Sequence, residues 1–344
     1  MNVPKLRFKE FNDNYLRLKY KDVLKIKSGK DQKQVECENG IYPILGTGGQ
    51  IGKTNSFLYD KPSVLIGRKG TINKPQYMET PFWTVDTLFY SHIYEPNIPK
   101  YLFYSFQNVN WKKYDESTGV PSLSSSTIEG VDCNIPSKEE QLKVANFLSL
   151  LDKKIELQSK KIEDLKLFKL CINNILFNGN KTIKLKDICE CKSSTISLSD
   201  IEYDDGMYPI YGANGEIKKI NSYQNDKNYL AIIKDGAGVG KTIICNKKSS
   251  IIATLSALIP NGIPVYYFNE LINKIDFSKY IVGSGIPHIY FKDYSNEKLY
   301  LHEEKKRVLI NNLFKRIIIK IELEENKLHL LETVKKGLMQ NMFV

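Results

Sequence analysis

The chain has 344 residues, of which 42% are hydrophobic and 26% charged, and its formal net charge is +11. The composition excludes collagen-like and wholly disordered chains, and the length is sufficient for two domains. Because no apolar run reaches the roughly 18–20 residues of a membrane span and the charged start lacks a signal-peptide core, we expect a cytoplasmic protein without membrane contact.

Residues 1–136 form the first predicted domain, of mixed α/β class. Short β-rich runs such as SVLIG (63–67) and LFYSHIY (88–94) lie between Gly, Pro and Asn turn signals, so strands should dominate. Polar and basic residues gather on its Gly-rich segments, at Thr47, Gln50, Lys53, Arg68, Lys69, Thr71 and Asn73. Such side chains suit phosphate contacts and base-edge reading, and the basic net charge favours a polyanionic partner. The alternative is a set of solvated hairpin tips.

A long helix is predicted over 138–178, within a segment spanning 137–180. Ser137 and Glu140 have the spacing of a capping box, and Asn178-Gly179-Asn180 should end the helix. Between residues 148 and 176, nine positions follow a 3-4 heptad spacing, and seven of them are apolar; Gln158 and Lys169 are the exceptions. This spacing is typical of a helix that packs along one face.

Residues 181–302 form a second domain that repeats the first. GIYPILGTGGQIGKTNSFLYDK (40–61) returns as GMYPIYGANGEIKKINSYQNDK (206–227) at an offset of 166, with twelve of 22 positions identical. Gly119-Val120-Pro121 likewise matches Gly285-Ile286-Pro287, and the runs YLAII (229–233) and TIICN (242–246) are β-rich. A period this long indicates a duplicated domain and not a solenoid.

The second domain has its own polar loop group, at Asn214, Glu216, Lys218, Lys219, Lys234, Lys241 and Thr242. Within it, DGAGVGKT (235–242) is similar to a phosphate-binding loop. However, the spacing from Gly236 is one residue short, and the first domain has the unrelated RKGTINKP (68–75) at this place. A hairpin with glycine at its turns is therefore the better interpretation.

Residues 303–344 contain the second long helix, predicted over 304–343. Its heptad positions are those of the first helix shifted by 166, with polar exceptions at the equivalent Glu324 and Lys335. Matched seams predict that the helices pair antiparallel as a coiled-coil spacer of about 60 Å. The predicted seam consists of Leu151, Ile155, Ile162, Leu165, Ile317, Ile321, Leu328 and Leu331. In the alternative, each helix packs only on its own domain.

No catalytic residue and no metal site are predicted. The chain has no N/D-P-P-F/Y methyltransferase motif, no H-E-x-x-H, no G-x-S-x-G and no paired-carboxylate nuclease cluster. The serines of PSLSSST (121–127) suit a turn, a helix cap or a phosphate contact. Six cysteines without zinc spacing are expected to be reduced, mostly packed thiols.

Taken together, the motifs resemble those of the specificity subunit of type I restriction–modification systems over the full length of the chain. The resemblance rests on VPKLRFKEF, on the YPILGTGGQIG/YPIYGANGEIK pair, on GVPSLSSSTIEGVDCNIPSKEEQLKVANFLSLLDKKIEL and on the final ETVKKGLMQNMF. One departure is KLYLHEEKKRV in the second copy, where the first has CNIPSKEEQLKV, so the resemblance supports partner contacts there less strongly.

The resemblance implies two target recognition domains, each reading one half of a bipartite double-stranded DNA site, with the two helices acting as a ruler. It also implies docking of two methyltransferase (modification) subunits, and of restriction–translocation subunits in the full complex. S-adenosylmethionine, ATP and Mg would bind in those partners, with no cofactor in this chain. The role would be DNA methylation, on adenine, and defence against foreign DNA. The loops differ between the copies, so the half-sites should differ, and they should lie about one helical turn, ~10 bp, apart.

Two other functions are compatible with the sequence. A coiled-coil scaffold, or a general DNA-binding protein without a methyltransferase partner, would explain the helices but not basic loops on both domains. A fused enzyme would need the methyltransferase motifs that the sequence lacks.

Overall fold

The protein has a mixed α/β fold with two compact units. The structure, a computed structural model, describes residues 3–201 and 204–343. Unit 1 comprises Met1–Gln158 with Lys327–Val344, and unit 2 comprises Ser159–Asn326. Each unit therefore joins one β-rich head to segments of both long helices. Head 1 is the β-rich part of unit 1 up to residue 136, and head 2 is residues 181–302.

Within residues 3–136, head 1 contains nine strands, three short helices and a 3-10 turn at Trp111–Tyr114. The strands are β1 (Leu16–Lys19), β2 (Leu24–Lys27), β3 (Tyr42–Gly46), β4 (Gly49–Thr54), β5 (Ser63–Gly67), β6 (Gln76–Met78), β7 (Trp83–Thr84), β8 (Leu88–Ile93) and β9 (Asp132–Ile135). The helices are α1 (Tyr20–Val23), α2 (Pro99–Asn108) and α3 (Ser125–Gly130), and the long α4 (Lys138–Leu176) follows. The sheets have the strand orders β2-β8-β5-β6, β4-β3-β7 and β1-β9.

Head 2 repeats this arrangement. Its strands are β10 (Ile183–Lys184), β11 (Cys189–Ser193), β12 (Tyr208–Gly212), β13 (Gly215–Ile220), β14 (Tyr229–Ile233), β15 (Thr242–Cys245), β16 (Ser250–Ile251), β17 (Leu255–Pro260) and β18 (Lys298–Leu299). Its helices are α5 (Val265–Ile272) and α6 (Phe291–Tyr294), with 3-10 turns at Leu185–Asp187, Leu198–Asp200 and Phe277–Tyr280, before the long α7 (Glu304–Met342). The orders β11-β17-β14-β15, β13-β12-β16 and β10-β18 match those of head 1. The predicted domain duplication is therefore confirmed strand by strand.

The strands form where the sequence has apolar runs bounded by glycine. SVLIG becomes β5 and YLAII becomes β14, and every residue of both strands is buried, as expected for strands covered on two faces. Gly49 and Gly215 open β4 and β13 with φ of +113° and +109°, a conformation that L side chains rarely adopt. The segment 235–242 lies between the antiparallel strands β14 and β15, so the predicted hairpin is confirmed. A phosphate-binding loop would instead lead from a strand into a helix.

Both heads bury parts of both long helices. In unit 1, Val144 and Leu148 of α4 share the main core with Met339 and Met342 of α7. In unit 2, the later part of α4 and the early part of α7 share a core, with side chains that include Ile172, Leu176, Ile310 and Phe314. The early part of one helix thus meets the late part of the other, so the segments run antiparallel within each unit. The alternative that each helix packs only on its own domain is wrong.

The predicted seam residues differ in burial. Ile162, Ile317 and Ile321 are buried, and Leu165 packs against the unit 2 core. Leu151, Ile155, Leu328 and Leu331, all in unit 1, are half-buried. The helices end at Leu176 and Met342, two residues and one residue before the predicted ends. In the described part of the chain, no helix is long and apolar enough to span a membrane.

Candidate nucleic-acid interface

The candidate residues of head 1 lie mainly in two connections. Thr47 is in the β3–β4 turn, and Arg68, Lys69, Thr71 and Asn73 are in the connection from β5 to β6. The side-chain amide of Gln76 joins the two, since its Nε2 donates to the carbonyl oxygens of Gly46 at 2.8 Å and of Thr47 at 3.3 Å. Among the candidate residues, Arg68, Lys69 and Asn73 are exposed. Thr47 and Thr71 are half-buried. These loops therefore present one surface with two cationic and three short polar side chains.

Gln50 and Lys53 lie on β4 in a different environment. They line a groove of about 500 Å³ together with Glu36, Cys37 and Glu38. The carboxylates of Glu36 and Glu38 would repel a DNA phosphate, and they come from the loop before β3. Gln50 and Lys53 are therefore weaker candidates for DNA contact than the residues of the β5–β6 connection.

Some candidate side chains of head 2 line an open groove, and others form hydrogen bonds within the head. Asn214, Lys241 and Thr242 line one groove of about 750 Å³ in unit 2. Within that set the Thr242 hydroxyl donates to Asn269 Oδ1 at 2.8 Å. Lys218 Nζ donates to the carbonyl of Ile201 at 2.7 Å, so it is anchored inside the head. The remaining candidates are Glu216 and Lys219 on β13, both exposed, and Lys234 directly after β14, half-buried.

The GVP and GIP triplets form the same closed loop in both heads, although the sequence assigned them no role. The tip loops are defined here as residues 117–121 and 283–287. In head 1, the Glu116 amide donates to the Ser122 carbonyl at 3.0 Å; in head 2, the equivalent Val282 amide donates to the His288 carbonyl at 2.9 Å. The offset of 166 therefore holds for the bond that closes each loop.

Each tip loop is fixed to the connection that carries the cations. In head 1 the Gly70 amide donates to the Pro121 carbonyl at 2.8 Å, and in head 2 the Gly236 amide donates to the Pro287 carbonyl at 2.9 Å. Next to these bonds, the carbonyls of Arg68 and Lys234 accept the amides of Leu123 and Ile289, both at 2.9 Å. Arg68 and Lys234 are thus structural equivalents, and each lies at the base of a tip loop.

Lys169, a polar exception in the heptads of α4, forms an ion pair with a buried carboxylate of head 2. Its Nζ lies 2.6 Å from Oε1 of Glu270. Asn173 and Asn269 also donate to this carboxylate, at 3.1 and 2.9 Å. Because Asn269 accepts the Thr242 hydroxyl, a polar chain connects β15 with α4.

The equivalent Lys335 on α7 pairs with a carboxylate that comes from a different position in the repeat. Its Nζ lies 2.5 Å from Oδ1 of Asp152 on α4, and the Tyr104 hydroxyl donates to Oδ2 of Asp152 at 2.7 Å. Tyr104 occupies the position of Glu270 in the repeat, and Ile318 that of Asp152. Burial, with this bond, raises the pKa of the Tyr104 hydroxyl, which stays protonated and able to donate.

The second pair of polar breaks is also buried. Glu324 on α7 accepts from Lys161 Nζ at 2.7 Å and from Lys320 Nζ at 2.8 Å. Gln158 on α4 is buried as well. The polar exceptions in the heptads are therefore paired groups and not exposed interruptions of the seam.

Ser124 has a structural role, and the thiols of Cys133 and Cys189 are buried. Ser124 caps α3, since its Oγ accepts the Thr127 amide at 3.0 Å. Hydrogen bonds from Thr127 and Ser124 lower the pKa of the Glu116 carboxyl. Burial raises the pKa of the Cys133 and Cys189 thiols to about 12, which suppresses the reactive thiolate. In residues 3–201 and 204–343, no cluster of three His, Cys, Asp or Glu side chains could hold a metal ion.

Comparisons with known proteins agree with the duplicated architecture. The profile of the family described as "Type I restriction modification DNA specificity domain" matches residues 12–167 and again residues 178–333. The S subunit of a type I restriction–modification system from M. genitalium has a similar fold, with a TM-score of 0.78, 18% identity and 99% coverage of both chains. A chain from a structure of complex assembly and conformational transition in the type I R-M system has a TM-score of 0.53 and 12% identity, covering 96% of this chain and 98% of that one. No curated protein sequence matches this chain closely.

Proposed function

Because the chain belongs to the family of type I restriction–modification DNA specificity domains, we propose that each of its heads reads one half of a bipartite site on duplex DNA. The proposal rests on the observation that the two heads share the same strand order and loop hydrogen bonds but differ in their loop side chains. At equivalent positions head 1 has Arg68 and Lys69 whereas head 2 has Lys234 and Asp235. Lys69 of head 1 is thus replaced by Asp235 in head 2, which reverses the charge next to the same backbone hydrogen bonds. Two surfaces so alike in backbone and so different in side chains suit two different half-sites.

The candidates divide by chemistry into base-reading and phosphate-binding groups. Arg68 has a planar fork that can donate two hydrogen bonds to a guanine edge, and its guanidinium lies 5.9 Å from the Phe89 ring centroid, which limits its freedom. Lys69 and Lys241 are exposed point charges suited to phosphates. Arg68 is therefore the residue proposed to discriminate bases, and the lysines are proposed to position the duplex.

Partner docking is proposed on the exposed faces of the long helices. Phe147, Leu150 and Leu157 lie on α4 one residue before the heptad positions 148, 151 and 158, and all three are exposed. The equivalents of Phe147 and Leu157 on α7 are Leu313 and Leu323, which are also exposed. An apolar stripe of this kind outside the packed seam marks a protein-interaction surface. Because each repeat carries one, the stripes support two methyltransferase subunits per chain.

The proposed division of labour leaves sequence selection to this chain and chemistry to its partners. S-adenosylmethionine would bind in the methyltransferase subunits, and ATP with Mg in restriction–translocation subunits where these join. The capping role of Ser124 and the raised pKa of the buried thiols support a non-catalytic chain.

Co-expression with the methyltransferase subunit tests the proposal. We expect a complex of two methyltransferase subunits per chain that binds a bipartite duplex, with affinity that falls steeply with salt. Leu157→Asp should remove one methyltransferase subunit, and Leu157→Asp with Leu323→Asp should remove both. Leu198→Asp, which makes the same residue change at a comparably exposed leucine in the 3-10 turn of head 2, is the matched charge control. A chain that assembles but binds duplexes of any sequence equally would instead support a scaffold or a general DNA-binding protein.

A further inference from the structure

The two tip loops are alike in both structure and side-chain chemistry. Their backbones are closed and anchored by the same bonds, and each carries one β-branched apolar residue between glycine and proline, Val120 in head 1 and Ile286 in head 2. The neighbouring connections, in contrast, differ between the copies at most positions. A feature common to both heads cannot distinguish one half-site from the other.

The side chains of Val120 and Ile286 project into solvent. They are 66% and 69% exposed. A Cβ added at the neighbouring Gly119 or Gly285 would meet no heavy atom within 4 Å, so the tips stand clear of the head. Exposing a β-branched apolar side chain in water gains nothing for folding. Exposure alone assigns no role, because Ile41 and Met207 are at least as exposed; what distinguishes Val120 and Ile286 is that their loops are bonded to the connections that carry the cations.

The surroundings favour DNA as the occupant. The tip loop of head 1 is bonded to the connection that carries Arg68 and Lys69, and that of head 2 to the one that carries Lys234. A duplex held by these cations would therefore lie against the apolar tips. Apolar side chains at such a surface can enter between base steps as wedges.

One requirement is shared by two half-sites of any sequence. A methyltransferase cannot reach its target atom inside a duplex, so the target base must leave the stack. On the premise of the proposed function, we propose that Val120 and Ile286 enter the base stack at the step vacated by the extruded base, one in each half-site. An apolar side chain there replaces part of the stacking that extrusion removes.

The experiment uses the complete complex with methyltransferase subunits and a duplex with 2-aminopurine in place of the target adenine of one half-site. Extrusion raises the fluorescence of this base. We expect Val120→Ser to lower the rise about ten-fold in the half-site read by head 1 only, and Ile286→Ser to do so only in the other. Val120→Ile should retain the signal. Ile41→Ser and Met207→Ser, an equivalent pair of comparably exposed residues, are the controls and should change neither signal.

The outcomes separate this inference from the function on which it rests. Unchanged fluorescence in both serine variants, or loss of methyltransferase subunits from them, would overturn the inference and leave sequence recognition intact. A wild-type complex that neither binds nor methylates a bipartite site would overturn both.

Discussion

Replacing Lys169 by Met should lower the free energy of unfolding of unit 2 by about 2–3 kcal/mol, whereas Lys335→Met should cost unit 1 less than about 1 kcal/mol. The two lysines occupy the same position in the repeat, and each is paired with one carboxylate. Their partners differ in burial, so the pair of variants measures the effect of burial with the residue change held constant.

The magnitudes follow from the carboxylates that the variants leave behind. Glu270 has a side chain only 1% exposed, and removing one partner of a buried pair typically costs 3–5 kcal/mol. The lower value expected here reflects Asn173 and Asn269, which still donate to it, and Lys169 itself, which is 22% exposed. Asp152 is 36% exposed and can be solvated by water after its lysine is lost.

Urea unfolding with a local probe for each unit is the assay. Both tryptophans, Trp83 and Trp111, belong to unit 1, so their fluorescence reports that unit alone. Hydrogen exchange of the α5 amides reports unit 2. The double variant Lys169→Met/Glu270→Met should recover most of the loss, since it buries no unpaired charge. Equal losses for the two single variants, or no recovery in the double variant, would refute the reasoning.

Two further predictions concern specificity and pH. Arg68→Ala should reduce the discrimination between bases in the half-site of head 1 by about 1–3 kcal/mol, and Lys234→Ala should affect only the half-site of head 2. Methylation of duplexes with single-base changes measures both effects. Loss of discrimination in both half-sites from either variant would contradict independent reading by the two heads. Burial, and then the charge of Lys306, lower the pKa of His302 from its usual 6.5, so the unfolded state takes up a proton first. Unit 2 should therefore lose stability as pH falls below about 6.5, and His302→Gln should flatten this dependence in urea unfolding at pH 7.5 and 5.5.

Most of the fold could be predicted from the sequence because its signals are local. The runs that became β5 and β14 are short, apolar and bounded by glycine, and the repeat offset carried each assignment from one head to the other. The heptads predicted α4 and α7 to within two residues at their ends. The ion-pair partners of the polar heptad residues could not be predicted from the sequence. The partner of Lys169 comes from a helix about 100 positions later in the chain, and that of Lys335 from the other long helix.

The candidate site was less predictable because neighbours across the fold decide what a polar residue does. Lys53 lines a groove with two carboxylates from the loop before β3, and Lys218 is bound to a backbone carbonyl. In the segment CNIPSKEEQLKV, for which the resemblance suggests partner contacts, Glu140 and Gln141 are buried and bonded within the chain. Glu140 accepts from Arg7 and from the Tyr15 hydroxyl, and Gln141 accepts the Ile98 amide at 2.9 Å. The loss of the Glu-Glu-Gln pattern in the second copy is therefore a difference in packing within the chain.

Genome-wide mapping of methylated adenines in cells that express this chain with the proposed methyltransferase subunit is the most direct test of the account. Two heads on one chain predict a single motif with two different specified halves, a spacer of fixed length without specified bases, and one methylated adenine in each half. The methyltransferase expressed alone should produce no such motif. A continuous motif, two identical halves, or the same methylation without this chain would contradict recognition by two unlike heads.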